Sequence, residues 1–375
     1  VLVAALGGFL AWLWISGDAS LSLEVATAVL VVTCPCAFGI ATPLAHELVQ
    51  SKLRKEGLFI RSGDFLDRAS RIRKLVFDKT GTVTSSTMVL RDEQALADLE
   101  KEDRQILFEL CSRSAHPTSQ IIARALAPYA LQLSPQLESE LAVEEIAGSG
   151  MRGLLASGAE YRLGKPSWAG AAAKQDRDTV FSCGGVELAR IALREEARPD
   201  VQSEFRALQN EGYEVFLLSG DAEARVHEFS DTLALPADNA FAERSPQDKE
   251  AWLREHDQGD LLFVGDGIND SLAAQRATCS GTPALDRPFM ASHCDFFLGT
   301  DRIEPIRSAL HHARRLAAVV RRNLVFALLY NAGAIALAWA GWMSPWLAAL
   351  LMPASSILIV MATTLSLSRS PAWKS

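Results

Sequence analysis

A parallel α/β domain, split by an inserted domain and flanked by apolar helices at both ends, is the fold class this sequence predicts. Three observations predict it. Apolar residues make up 49% of the 375 residues and crowd into the first 50 positions and into 323–368. The stretch between alternates short strand-like runs with amphipathic helical patterns, which reads as α/β. Three of those runs, at 74–77, 214–218 and 261–264, lead directly into polar clusters containing Asp. Parallel strands carry their ligand residues at their carboxyl ends in this way.

The elements follow in order. Residues 1–15 are strongly apolar but shorter than the roughly 20 needed to span a bilayer, so they read as a truncated spanning helix. A second span is expected at 23–44, placing two transmembrane helices in 1–50. Residues 323–368 contain no Asp, Glu, Lys or Arg and predict a helical hairpin, with spans at 324–342 and 345–367. Lys52, Arg54, Lys55 and Arg61 follow the second span, and Arg314, Arg315, Arg321 and Arg322 precede the third. Arg369 and Lys374 follow the fourth, while the short connections carry no Lys or Arg. By the positive-inside rule the large middle region is cytoplasmic. Within it, 79–213 is too long for one crossover between neighbouring strands. The expected division is 57–88 and 194–322 for the α/β domain, with 89–193 inserted.

A net charge of −8 argues against a nucleic-acid partner. Of the six cysteines only Cys34 and Cys36 are close together, and the rest are scattered singly. That is no disulfide framework and suits a reducing compartment.

The chemistry concentrates at the strand ends. Asp78, opening Asp78-Lys79-Thr80-Gly81-Thr82 after the first run, is a carboxylate that can attack a phosphoryl group. Asp266 and Asp270, in the segment 265–270 after the third run, suit Mg²⁺, which prefers oxygen ligands. Ser219-Gly220-Asp221, after the second run, offers a hydroxyl and backbone N–H groups to phosphate oxygens. Lys249 supplies a cation to offset transition-state charge. Cys34-Pro35-Cys36 places two soft ligands beside a helix-breaking proline, although two core cysteines beside a kink fit the tripeptide alone.

Taken together, these motifs resemble the P-type ATPases, whose phosphorylation domain belongs to the haloacid dehalogenase superfamily. The resemblance runs the length of the chain. It implies a haloacid-dehalogenase-like phosphorylation domain carrying an inserted α+β nucleotide-binding domain, and ATP and Mg²⁺ as cofactors. It implies Asp78 as nucleophile, with Thr80, Ser219, Gly220 and Lys249 around the phosphate. Lys79, Thr82 and Asp221 are catalytic candidates in the same motifs, and Asp78, Thr80, Asp266 and Asp270 would hold Mg²⁺. Thr80 stands where related phosphatases carry a general acid, which lets an aspartyl phosphate persist. His116-Pro117 followed by Gly148 and Gly150 resembles the nucleotide-binding domain of the heavy-metal subfamily, where the histidine meets adenine and the glycines admit the nucleotide.

The Cys-Pro-Cys triplet at this distance before the Asp78 motif resembles that of heavy-metal pumps. Tyr330 and Asn331 in the third span, and Met352 with Ser355 and Ser356 in the fourth, resemble elements of copper pumps. The implied ligands are therefore Cys34, Cys36, Tyr330, Asn331, Met352 and Ser356, and the implied cargo is Cu⁺ or Ag⁺. Other implied partners are a lipid bilayer, as in a bacterial inner membrane, and a copper chaperone. Ser271–Ala274, residues 279–297, Pro353 and Thr363-Thr364 depart from the usual pattern, as in a divergent copper subgroup such as pumps supplying copper for oxidase assembly. The sequence contains no Thr-Gly-Glu, the loop whose Glu positions the hydrolytic water in coupled pumps; the family places that domain upstream. Alternatives are a Zn²⁺ or Cd²⁺ pump of the same family, or a membrane-tethered phosphatase or metal sensor that does not transport.

Overall fold

The computed structural model describes residues 1–33, 36–129, 141–170, 178–266, 270–283 and 293–368. The chain divides into two compact units, Val1–Val83 with Arg198–Ser375, and Thr84–Ala197.

A seven-stranded sheet organises the first unit. Its central strand is β2 (Lys74–Asp78), flanked in parallel by β10 (Glu214–Leu218) and β12 (Leu261–Val264). Beyond β12 lie β13 (Cys279–Thr282) and β14 (Phe296–Leu298), both parallel, and then β1 (Leu58–Ile60), antiparallel. The far edge is β11 (Ala240–Phe241), parallel to β10. Strands covered on both faces read as continuous apolar runs: all four residues of Leu261–Val264 are buried, as are Leu75, Val76 and Phe77. Phe77 packs on Phe205 of α9 (Val201–Asn210), ring centroids 4.9 Å apart.

The second unit is the insertion. Strands β4 (Leu141–Ile146), β5 (Gly150–Leu155), β6 (Glu160–Gly164), β7 (Thr179–Cys183) and β8 (Val186–Ile191) form an antiparallel meander. Helices α6 (Lys101–Ser112) and α7 (Pro117–Leu126) share its core through Ile106, Leu107, Leu110, Ile122 and Leu126. Its two connections pair with each other as β3 (Thr84–Leu90) and β9 (Leu193–Ala197). That ribbon carries the division a few residues outside the expected 89–193.

The apolar ends are helical: α1 (Leu2–Ser16), α2 (Ala19–Val32), α3 (Cys36–Lys55), α13 (Glu304–Trp339) and α14 (Pro345–Ser368). The single span expected at 23–44 is two helices. α2 stops at Val32, where Thr33 Oγ1 donates to the Val29 carbonyl at 2.7 Å, and α3 begins at Cys36. Proline 35 in the sequence between them brings no backbone N–H and disfavours helix at the residue before it. The third span is the C-terminal half of one helix begun at Glu304. α13 and α14 are long and apolar enough to cross a membrane, and they leave Leu329 70% and Trp346 72% exposed to their surroundings.

Candidate active site

The site is built where β2, β10 and β12 end. Asp78 is the last residue of β2 and only 5% exposed. Asp78, Asp266 and Asp270 offer carboxylate oxygens all within 4.8 Å of one another. Lys249 Nζ reaches into this group, 2.5 Å from Asp78 Oδ1 and 2.8 Å from Asp270 Oδ1. Its aim is set by the start of α11 (Pro246–His256). There Ser245 and Asp248 form a reciprocal capping box, Ser245 Oγ accepting from the Asp248 N–H at 3.2 Å.

Burial, and then the neighbouring Asp270 charge, push the Asp78 carboxyl up to about 7; Lys249 only partly opposes them. Burial would lower Lys249, but Asp78 and Asp270 more than offset it and the ammonium is held in its charged form. Carboxylate oxygens from Asp78, Asp266 and Asp270 set this close together fit a hard divalent cation such as Mg²⁺, which prefers oxygen ligands. Gly81 closes the group on one side. It sits at φ 71°, and a Cβ there would lie 2.0 Å from Asp266 Oδ2, so the approach of that carboxylate needs glycine.

Lys79 is buried and pairs with Asp221 at 2.7 Å. Ser219 is buried, and its Oγ accepts from the Asp221 N–H at 3.1 Å. Gly220 lies beside the Arg244 carbonyl. Thr80 is exposed. Thr82 is fully buried, and among the described residues its hydroxyl has no hydrogen-bond partner. Such a group is costly unless a ligand completes it.

Sequence reasoning missed Arg198. This buried guanidinium donates to the Thr82 carbonyl at 2.6 Å and the Gly81 carbonyl at 3.1 Å, and pairs with Asp301 at 2.6 Å. Two residues on, Asp200 Oδ2 accepts from the N–H groups of Ile303 and Glu304 where α13 starts. A lone Arg-Pro-Asp offers no periodic signal, so only the fold reveals that it joins the Asp78 loop to the long helix.

In the second unit a cavity of about 400 Å³ is lined by His116, Gly148, Gly150, Ser114, Lys165 and Asp178, among others. His116 caps α7, its Nδ1 accepting from the Thr118 N–H at 3.3 Å, and Pro117 takes the first helical position. The two glycines differ. A Cβ on Gly148 would meet nothing within 4 Å, whereas one on Gly150 would lie 2.1 Å from the Leu163 carbonyl. Gly150 thus serves strand packing, and Gly148 leaves open space in the cavity. Lys165, an exposed cation on the cavity rim, was not anticipated.

Of the expected transported-ion ligands, Cys34 lies outside the described residues. Cys36 opens α3. Tyr330 and Asn331 are half-buried on α13, and among the described residues the buried Tyr330 hydroxyl has no hydrogen-bond partner. Met352 and Ser356 are half-buried on α14, Ser356 Oγ donating to the Met352 carbonyl at 3.0 Å. Thr363 is buried and takes a 2.7 Å hydrogen bond from Asn323 Nδ2.

Residues 72–278 match the haloacid dehalogenase-like hydrolase family. The chain is 32% identical over 372 residues to the nitrogen fixation protein FixI of Rhizobium leguminosarum bv. viciae, covering 96% of this chain and 47% of that protein. It is 31% identical over 342 residues to the probable copper-transporting ATPase SynA of Synechococcus sp., covering 86% and 42% respectively. A zinc-transporting PIB-type ATPase solved in the E2.Pi state shares the fold, with a TM-score of 0.79 over 98% of this chain and 62% of that one at 21% identity. The chain spans about half the length of the curated relatives it matches.

Proposed function

Because the chain belongs to the haloacid dehalogenase-like hydrolases, in their heavy-metal P-type ATPase branch, we propose that it forms and holds an aspartyl phosphate on Asp78 within an ATP-driven pump for Cu⁺ or Ag⁺. The observation that carries this reading is the gathering of Asp78, Asp266, Asp270 and Lys249 at one strand end. An ionised Asp78 oxygen attacks the γ-phosphorus of ATP, the bond from that phosphorus to the β–γ bridging oxygen breaks, and ADP leaves with the electron pair. Lys249 balances charge on the transferring group, and Thr80, Ser219 and Gly220 are the residues that would surround its oxygens. Bound between Asp78, Asp266 and Asp270, Mg²⁺ would supply the positive charge that keeps the nucleophile ionised and neutralises the phosphates. ATP would be held in the His116 cavity, with Gly148 giving it room.

The cargo follows from ligand softness. Cys34, Cys36 and Met352 are soft donors, and residues 323–368 contain no carboxylate of the kind zinc and cadmium would favour. The buried Tyr330 hydroxyl, which has no partner among the described residues, supports an ion path there. The pump would lie in a bacterial inner membrane with the catalytic domain in the cytoplasm, and a copper chaperone would deliver the ion. ATPase assays of the full-length protein against Cu⁺, Ag⁺, Zn²⁺ and Cd²⁺ test this. Cu⁺ or Ag⁺ should stimulate most, and Cys34→Ser or Cys36→Ser should abolish stimulation while nucleotide binding survives. Preferential stimulation by Zn²⁺ or Cd²⁺ would contradict the cargo. Hydrolysis of simple phosphate esters that needs no metal would point to a tethered phosphatase instead.

A further inference from the structure

Arg315, Val319 and Arg322 share one face of α13, being spaced by four and three residues. Across from them stand Leu365 and Ser366 in the last turn of α14, and the five residues line a cavity of about 290 Å³. Arg315 donates to the Ser366 carbonyl, and Arg322 Nη2 donates to Ser366 Oγ at 2.7 Å. These bonds pin two guanidiniums over a helix C-terminus, where the carbonyls are otherwise unpaired. Among the described residues neither guanidinium has a carboxylate partner, unlike Arg307, which pairs with Glu204 at 2.6 Å, or Arg68, which pairs with Asp295 at 2.6 Å. Two cations held side by side, with no carboxylate partner among the described residues, offer a site to an anion.

Position and lining identify the anion. Arg322 immediately precedes the charge-free run that begins at Asn323. Arg315 lies two turns earlier, about 10 Å along the axis, so the pair stands at headgroup depth. The remaining wall is apolar: it is formed by Val319, 5% exposed, and Leu365, 44% exposed. A free phosphate would desolvate against that wall without return, whereas a phospholipid would set its phosphodiester on the arginines and its glycerol and upper chain on Val319 and Leu365. We propose that this cavity binds the headgroup of an anionic phospholipid and thereby clamps the cytoplasmic ends of α13 and α14. The proposal rests on the reading that these helices lie in a bilayer.

The test is native mass spectrometry of the whole chain released from vesicles of equal phosphatidylglycerol and phosphatidylcholine, scoring retained lipid. The wild type should retain phosphatidylglycerol preferentially. R315Q/R322Q should weaken retention by roughly 20- to 30-fold, the product of two interfacial arginines. R54Q/R321Q removes the same charge elsewhere and should change retention less than threefold; unfolding temperatures of both variants verify that each is folded. R315K/R322K should recover part of the preference. Equal loss in both glutamine variants would mean bulk charge and overturn the site, as would displacement of the lipid by millimolar inorganic phosphate. A chain that enters vesicles but retains both lipids equally overturns the site alone. One that enters no vesicle overturns the bilayer reading as well.

Discussion

Replacing Asp78 by Asn should stabilise the metal-free chain near neutral pH. Three carboxylates crowd within 4.8 Å around Lys249, and burial with the Asp270 charge raises Asp78 from 3.8 to about 7. At roughly 1.4 kcal/mol per tenfold in proton affinity, that rise corresponds to a ceiling of about 4 kcal/mol. Asn also gives up the charge pairing with Lys249, which brings the expected gain to about 1–3 kcal/mol. The sign follows from linkage. An acid with a raised pKa binds its proton more tightly folded than unfolded, so its contribution is complete below about pH 4 and is lost as pH rises to about 7. The stability gap between variant and wild type should therefore be small in acid, open between about pH 4 and pH 7, and stay open above. Thermal unfolding of both proteins in one detergent with a chelator reads the gap as several degrees. Millimolar Mg²⁺ should close it by stabilising the wild type more than the variant. A gap that opens towards acid, or is absent above pH 7, would show that the three carboxylates do not crowd one another as described.

Three further substitutions probe the surrounding scaffold. Gly81→Ala puts a Cβ 2.0 Å from Asp266 Oδ2 and should weaken Mg²⁺ dependence of the wild-type stabilisation by at least about tenfold; an unchanged Mg²⁺ titration would refute the close approach. Arg198→Ala strips the Gly81 and Thr82 carbonyls of a buried donor and should cost about 2–4 kcal/mol and slow phosphorylation while ADP affinity holds. Gly150→Ala should destabilise the inserted unit, because its Cβ meets the Leu163 carbonyl at 2.1 Å. Gly148→Ala, with open space around it but a backbone φ of 75°, should cost the fold about 1–2 kcal/mol, less than Gly150→Ala, and weaken ADP binding by calorimetry; equal losses of stability at the two glycines would contradict their different roles.

The parts that were legible in the sequence are those where composition and position coincide. The runs at 74–77, 214–218 and 261–264 are observed as β2, β10 and β12, side by side and parallel, because a strand buried on both faces must be apolar throughout and must end in its polar ligands. The insertion was visible as excess length between β2 and β10. Less was visible where a short segment depends on tertiary partners. β14 and β1 pair antiparallel at the sheet edge, yet each is three residues long and too short for a period. The break between α2 and α3 hides within a continuous apolar stretch, since hydropathy registers burial and not backbone hydrogen bonding. Arg198 and Asp200 act through carbonyls and N–H groups more than 100 positions distant, and Lys165 reaches its cavity only because β5 and β6 pair. Such roles leave no local pattern.

Phosphorylation at Asp78 is the claim on which the account turns. Incubating the chain with γ-labelled ATP and Mg²⁺, quenching in acid and treating with hydroxylamine measures it directly, since an acyl phosphate survives acid and is cleaved by hydroxylamine. With Thr80 offering no general acid to speed its hydrolysis, the acyl phosphate should persist long enough for the label to accumulate. It should be absent from Asp78→Asn. Labelling that persists in Asp78→Asn, or that resists hydroxylamine, would contradict the account.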